Sequence, residues 1–331
     1  METSLFDYNL PESAIAQTPV SPRDSSRLLV DGELLQHKFV RDLPSLVNPG
    51  DFLVLNNTRV MRARLNLFKK TGGSVEVLVL NEIAGGLWEA LIRPSRKVPP
   101  ETVLYDSLDQ PVIKVKGDGE SRTRIVAPIN SSMPEIMTNC GDIPLPPYIE
   151  KKLEDSERYQ TVFAEHETSV AAPTAGLHLT QAVLDGINQA GAAIGFVELS
   201  VGLGTFRPID TNDVTEHEMH EEYYRIDSGV WKACAKANRV IAIGTTVVRA
   251  LESAAITGDL VGKTNLFISP GFEFRLVQAL LTNFHLPRSS LLVMIEAFVG
   301  TRWRELYQIA LDDGYRFLSF GDAMFLQRKA S

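Results

Sequence analysis

SVEVLVL (Ser74–Leu80), LWEALI (Leu87–Ile92), TVLY (Thr102–Tyr105), VIKV (Val112–Val115) and RTRIV (Arg122–Val126) follow one another between Arg62 and Asn130. Each run is short and alternates with a period of two, the pattern of a half-buried strand. Turn residues separate the runs, among them Gly72-Gly73, Gly85-Gly86 and Gly117-Asp118-Gly119. Regularly spaced short strands with no helical stretch predict a small closed barrel. GDIPLPP (Gly141–Pro147) then reads as an extended connection, because repeated proline disfavours helix and sheet interior alike.

On both sides of this stretch the pattern differs. Pro11 can open a short helix through Ala16, since it lacks only an N–H that would be unpaired anyway. Arg27–Val30 and Glu33–Phe39 flank Asp31-Gly32, a hairpin signal. Asp51–Leu55 is a compact apolar strand. After about Tyr159 helix and strand alternate. Thr180 caps a helix that Gly191 stops, and Ala193–Val201 is a strand. Ser228 caps a helix to about Asn238, and Val240–Ile243 is a buried strand leading through Gly244-Thr245-Thr246 into another helix. Leu266–Ser269 and Arg275–Leu281 read as strands, and Ser289 and Thr301 start two helices. Such alternation belongs to the α/β class. The expected architecture is a mixed-sheet α/β domain, residues 1–61 and 150–331, with a β-barrel domain inserted at 62–149.

The chain has 331 residues, enough for about two domains. Apolar residues make up 44% and charged residues 22%, as in ordinary globular proteins. The net charge of −8 argues against a generally basic nucleic-acid binder. The charge is uneven: Arg62–Asn130 holds 11 basic and 8 acidic residues, a net of +3, against −3 for residues 1–61 and −8 for 131–331. A mildly basic barrel on an acidic body suits a protein that handles both a polyanion and a cationic small molecule. Ordinary surface scatter gives the same numbers. The two cysteines, Cys140 and Cys234, supply neither a disulfide framework nor a metal knuckle. No signal-peptide pattern opens the sequence and no apolar run is long enough to span a bilayer, so a cytoplasmic location is expected.

Three short motifs fail on spacing. Gly258–Thr264 (GDLVGKT) has three residues between its glycines where a phosphate loop needs four. Gly202-Leu203-Gly204 follows a strand, but Arg207-Pro208 stand where a dinucleotide fingerprint needs its third glycine and a helix. His217-Glu218-Met219-His220 has its histidines three apart, not the four of a zinc-protease helix, and no metal is expected.

Four segments carry chemistry-bearing residues. Glu165–His178 (EHETSVAAPTAGLH) sets His166, Glu167 and His178 around small residues that let a ligand approach the backbone. In Gly204–Pro208 and His217–Glu222, the carboxylates of Glu218, Glu221 and Glu222 favour a cation. Gly244–Arg249 lies at a strand-to-helix junction, where α/β sheets take ligands and where Arg249 could hold a carboxylate. Leu281–Ser290 offers Phe284 and His285 as stacking faces and Arg288 as a charge. Solvated acidic turns and a plain threonine cap remain open alternatives for these segments.

Taken together, LFDYNLPESAIAQTP, SPRDSSRLL, DFLVLNNTRVMRARL, DIPLPPYI, RYQTVFAEHETSVAAPTAGLHLT, VGLGTFRPI, HEMHEEYY, VIAIGTTVVRALES and LLTNFHLPRSSLLVMIEAFVG run in order from Leu5 nearly to the C-terminus. The sequence resembles the S-adenosylmethionine:tRNA ribosyltransferase-isomerase family of queuosine biosynthesis. That resemblance implies an α/β domain with an inserted barrel, and a transferase that moves and isomerises the ribosyl part of S-adenosylmethionine. The acceptor would be the aminomethyl-deazaguanine (preQ1) at the wobble position of a tRNA anticodon stem-loop, and adenine and methionine would leave. S-adenosylmethionine would be a consumed co-substrate, with no other cofactor and no obligate protein partner; a monomer is expected. In these terms Glu167 or His166 is the candidate base and His217 or His178 the candidate acid. Glu218 and Glu221 would favour the sulfonium and ammonium, and Arg249 the methionine carboxylate. Thr174, Gly176, Gly202, Gly204, Phe284 and His285 would shape the pocket. Arg59, Arg62 and Arg64 would meet tRNA phosphates. A conventional methyltransferase and a non-catalytic RNA-binding barrel protein are the rival classes.

Overall fold

The computed structural model describes residues 1–120, 123–202 and 208–328. In chain order it contains β1 (Arg27–Asp31), β2 (Leu35–Phe39), β3 (Asp51–Asn56) and β4 (Thr58–Val60). Next come β5 (Arg64–Lys69), β6 (Ser74–Glu82), β7 (Trp88–Arg93), β8 (Val103–Tyr105), β9 (Pro111–Asp118), β10 (Arg124–Pro128), α1 (Met133–Cys140) and β11 (Gly141–Asp142). The remainder holds β12 (His166–Ser169), α2 (Gln181–Gln189), β13 (Ala193–Leu199), β14 (Glu222–Ile226), α3 (Ser228–Lys236), β15 (Arg239–Ile243) and α4 (Thr245–Thr257). It ends with β16 (Val261–Thr264), β17 (Ala279–Asn283), α5 (Ser290–Val299), α6 (Trp303–Asp312) and β18 (Ala323–Gln327). The chain divides into two compact units, Val60–Leu145 and the remainder.

The Val60–Leu145 unit is an antiparallel barrel. Strands β5, β6, β7, β10, β9 and β8 are neighbours in that order, β8 pairs back with β5, and β11 adds to β5. The closing pair runs Phe68 against Tyr105 and Lys69 against Leu104. The period-two pattern explains the interior: Val75, Val77 and Val79 of β6 are buried, with Leu65, Leu67, Ile113 and Val115 from other strands. Register shifts in the β6–β7, β9–β10 and β8–β9 pairings supply the extra curvature a small ring needs. Helix α1 was not anticipated. Its start is a capping box, in which Ser132 accepts from the Glu135 N–H and Glu135 accepts from the Ser132 N–H. Ser132→Ala is expected to lower the stability of this unit by about 1 kcal/mol; a urea midpoint indistinguishable from the parent's contradicts that.

The other unit is built on a nine-stranded mixed sheet of order β16-β14-β13-β3-β15-β17-β18-β1-β2. Four neighbours at its centre, β13, β3, β15 and β17, are mutually parallel. All six residues of β3 are buried, because alternate side chains feed cores on opposite faces. Phe52 and Val54 pack with Val247, Val248 and Leu251 of α4 and with α5 and α6. Leu53 and Leu55 pack with Val183, Leu184 and Ile187 of α2. Among the described residues no helix is long and apolar enough to cross a membrane.

Several local expectations are corrected. The Pro11 segment makes only a 3-10 turn, Glu12–Ala14, because Ala14 and Ala16 exchange backbone hydrogen bonds with Phe317 and draw the chain extended. Asp227 caps α3 in place of Ser228, its side chain accepting from the Gly229 N–H. Leu266–Ser269 is not a strand, and the strand expected from Arg275 begins only at Ala279. There the buried Glu252 carboxylate accepts from the N–H groups of Arg275, Leu276 and Val277, so those donors are unavailable to a sheet ladder. Strands β14, β16 and β18 were not anticipated.

Candidate active site

Parallel strands side by side deliver their carboxyl ends to one edge, the place where α/β sheets take ligands. Here β13, β3, β15 and β17 bring Gly202, Asn56-Asn57, Gly244-Thr245-Thr246 and Asn283 to that edge. The segment Ser169–His178 crosses it. The Ser169 hydroxyl accepts from the Val201 N–H at 3.0 Å and donates to the Ala171 carbonyl at 2.7 Å. Ala175 reaches Gly244, whose φ of +96° suits a residue without a side chain. Thr174 and His178 then meet β17.

Asn283 ties that meeting together. The Thr174 hydroxyl donates to its Oδ1 at 2.9 Å, which leaves its Nδ2 as donor to His178 Nε2, also 2.9 Å away. The His178 ring is therefore an acceptor at Nε2 and carries its proton on Nδ1. Burial, with the charges of Arg316 and Arg23 adding to it, pushes the His178 pKa down to about 3. Burial alone does the same to His285. Folding thus requires a neutral His178. Its stabilising contribution is complete above the unfolded pKa near 6.5 and is lost as pH falls from there toward 3. Between pH 6 and pH 5 the loss is expected to be about 1 kcal/mol for His178. Urea unfolding at the two pH values measures it; an equal pH slope in His178→Gln would contradict the assignment.

His166 and Glu167 are adjacent on β12, which forms a two-stranded ribbon with β4. His166 Nε2 lies 3.8 Å from Glu165 and 3.7 Å from Glu198. Glu165 is itself held by the Asn57 amide at 3.0 Å. Glu167 is exposed and 3.6 Å from Arg59. Arg59, expected at tRNA phosphates, also pairs with Glu157 at 2.6 Å. Neighbouring strand residues point to opposite faces, so His166 and Glu167 do not address the same point.

His217 follows the turn Val214–Glu216 and is half-buried, with its ring centroid 5.8 Å from that of Phe267. Burial lowers its pKa, Asp210 opposes that shift, and His220 adds to it. Glu218 is exposed, and Glu221 is exposed and paired with Lys263 at 3.2 Å. Among the described residues no hydrogen bond or ion pair links His217 to His166, Glu167 or His178. Gly204 lies outside the described residues.

Four expectations change. Arg249 is 2% exposed and bonds Glu222, itself 5% exposed, while donating to the carbonyls of Leu266 at 3.1 Å and Thr264 at 3.3 Å. A substrate carboxylate would have to displace Glu222, so Arg249 is placed to hold Glu222, which in turn accepts from the Gly202 N–H at 3.1 Å. Phe284 is fully buried among Tyr307, Tyr315 and Phe317 and offers no stacking face. His285 is buried too, its Nε2 3.0 Å from the Thr282 hydroxyl and its N–H donated to the Tyr307 hydroxyl. Gly176 is small for packing, because a β-carbon there would stand 2.9 Å from Phe163. In the barrel unit, Arg62 donates to the Gly141 carbonyl at 2.7 Å and Arg64 to that of Leu145 at 3.1 Å.

Sequence reasoning missed Asn283 and the pairing of Glu222. The signal for Glu222 was present: in EYYRI it shares a parity with Tyr224 and Ile226, and a carboxylate on a buried face requires a cation. Asn283 stands in TNFHLP, where the ring residues that follow it carry the stronger chemical signal.

Residues 3–326 match the family described as "Queuosine biosynthesis protein". A relative from Rubrobacter xylanophilus named S-adenosylmethionine:tRNA ribosyltransferase-isomerase is 47% identical over 330 residues, covering 98% of each chain. One of the same name from Thermus thermophilus is 46% identical over 344 residues, covering 97% of this chain and 98% of its own. The crystal structure of S-adenosylmethionine tRNA ribosyltransferase from Thermotoga maritima aligns with a TM-score of 0.56 at 35% identity, covering 97% and 99% of the two chains.

Proposed function

Because the chain belongs to the S-adenosylmethionine:tRNA ribosyltransferase-isomerase family of queuosine biosynthesis, we propose that it transfers and isomerises the ribosyl part of S-adenosylmethionine onto the aminomethyl group of preQ1 at the tRNA wobble position. The product is epoxyqueuosine-tRNA, and adenine and methionine leave. The observation that supports this most is the gathering of Gly202, Gly244–Thr246, Thr174, His178 and Asn283 at one carboxyl edge of a parallel sheet, in a chain matched along nearly its whole length.

The chemistry starts from the donor. A sulfonium withdraws electrons from the ribose carbon bonded to it, so a modest base can remove a proton there. Loss of that proton lets the neighbouring carbon–oxygen bond of the ribose ring open to an alkene, and the aminomethyl nitrogen adds to it and gives up a proton of its own. The carbanion this regenerates beside sulfur bonds to the anomeric carbon, which becomes a carbonyl as adenine departs. The alkoxide formed there closes the epoxide and displaces the sulfonium, so the carbon–sulfur pair goes to sulfur and methionine leaves as a neutral thioether. The glycosidic bond breaks with its pair going to adenine, which then needs a proton. His166 is our candidate for the base: the imidazolium formed on taking up the proton faces two carboxylates, whereas protonating Glu167 would cost its contact with Arg59. His217 is the candidate acid toward adenine, and half-burial suits a proton donor shielded from bulk water. His178, neutral and with its Nε2 lone pair engaged, positions Asn283 and Thr174. Glu218 and Glu221 bias the surroundings toward a cation. Arg59, Arg62 and Arg64 remain the candidate phosphate contacts, which would re-pair on binding. The chain acts in the cytoplasm as a monomer, with donor and anticodon stem-loop as its partners.

Chromatography of the donor products, with preQ1-bearing tRNA present, tests the reading. Adenine and methionine in equal amounts are expected. S-adenosylhomocysteine in their place would make the chain a methyltransferase, and tRNA binding without donor consumption would make it a binding protein; either result overturns the proposal.

A further inference from the structure

The first turn of α4 holds hydrogen-bond donors that nothing else in the described structure uses. Thr246 is 7% exposed, and among the described residues its hydroxyl has no hydrogen-bond partner. The hydroxyl oxygen lies 3.7 Å from where a β-carbon on Gly244 would sit, so it points back to the mouth of the helix. Gly244 is the N-cap and has no side chain to accept. Among the described residues the N–H groups of Thr245 and Thr246 meet no acceptor, while those of Val247 and Val248 turn to the Gly244 carbonyl at 3.2 and 3.4 Å. No acidic side chain stands in the first turn, and Arg249, one turn on, is committed to Glu222. A buried hydroxyl left unpaired is costly, and an incoming acceptor relieves that cost.

We propose that this helix mouth is a carboxylate subsite of the donor site: the N–H groups of Thr245 and Thr246 and the hydroxyl of Thr246 take the α-carboxylate of the methionyl part. The proposal rests on the reading of the chain as an enzyme that consumes S-adenosylmethionine, and it assigns to Thr246 the task that Arg249 is not placed to perform. Three donors at the positive end of a helix suit a singly charged oxyanion, and among the described residues the nearest arginine on α4, Arg249, is turned to Glu222. A phosphate dianion normally draws a guanidinium or ammonium as well. The position agrees: a β-carbon on Gly244 would stand 3.6 Å from that of Ala175, next in sequence to Thr174 of the Thr174–Asn283–His178 network, on the carboxyl edge of the sheet.

Titration calorimetry on the full chain tests it, with an anticodon stem-loop bearing guanine at the wobble position present so that no transfer occurs. The probes are S-adenosylmethionine, its decarboxylated analogue and inorganic phosphate; the variants are Thr246→Val, which keeps the side-chain shape, and Thr246→Ser, which keeps the hydroxyl. Thr246→Val is expected to weaken S-adenosylmethionine about tenfold or more while leaving the decarboxylated analogue within about twofold, and Thr246→Ser to restore most of the loss. Equal weakening of both sulfonium ligands overturns the subsite, as does unchanged S-adenosylmethionine affinity in Thr246→Val. Phosphate that displaces S-adenosylmethionine from the parent but not from Thr246→Val overturns it too. If the parent binds neither sulfonium, the donor reading itself falls and the subsite with it; binding by the parent with Thr246 indifferent removes the subsite alone.

Discussion

Arg249→Met is expected to lower the unfolding free energy by about 3–5 kcal/mol, because it strands a buried carboxylate. Glu222 is 5% exposed, and Arg249 is its paired cation. Methionine fills much of the arginine's volume, so the loss comes chiefly from charge rather than from a cavity. The same change frees the carbonyls of Thr264 and Leu266, which the guanidinium holds, and loosens the carboxylate that fixes the Gly202 N–H. Arg249→Met with Glu222→Met replaces both charges by apolar groups, and most of the stability should return. Urea unfolding followed through Trp303, which packs in the core α4 shares with α5 and α6, reads the parent and both variants. A single-variant cost under about 1 kcal/mol would mean that water reaches Glu222 and that the pair behaves as a surface one.

This pair also shows what was legible in the sequence. Period-two runs announce β6 and its barrel neighbours because one face of each is solvated and the other is not. The parallel strands of the sheet, buried on both faces, read as plain apolar runs, and β3 and β15 were legible for that reason. The short edge strands β14 and β16 were not: KT and GK in the Val261–Thr264 stretch look like a loop, and only pairing with β14 makes them a strand. Arg275–Val277 has the composition of a strand, yet Glu252, more than twenty residues earlier, takes its N–H groups. Long-range partners of this kind leave no periodicity. The same holds at the site. The residue types at the sheet edge could be listed from sequence, but Asn283 as the link between Thr174 and His178, and Arg249 as the partner of Glu222 instead of a ligand, depend on which side chains meet in space.

The geometry of β12 turns the choice of base into a decisive comparison. His166→Gln is expected to reduce turnover by about 10²–10⁴-fold, the usual cost of losing a positioned general base. Glutamine keeps a hydrogen-bonding tip of comparable reach, so the strand and its ribbon should persist and melting should be unchanged. Glu167→Gln keeps shape and loses charge; with Glu167 facing the other side of the strand and paired to Arg59, its effect should stay below about tenfold. A collapse in Glu167→Gln with His166→Gln near the parent would reverse the assignment and make the carboxylate the base. If both variants stay within about threefold of the parent, neither face of β12 addresses the reacting carbon, since a positioned base is worth far more than that. The proton would then have to be taken from the carboxyl edge of the sheet.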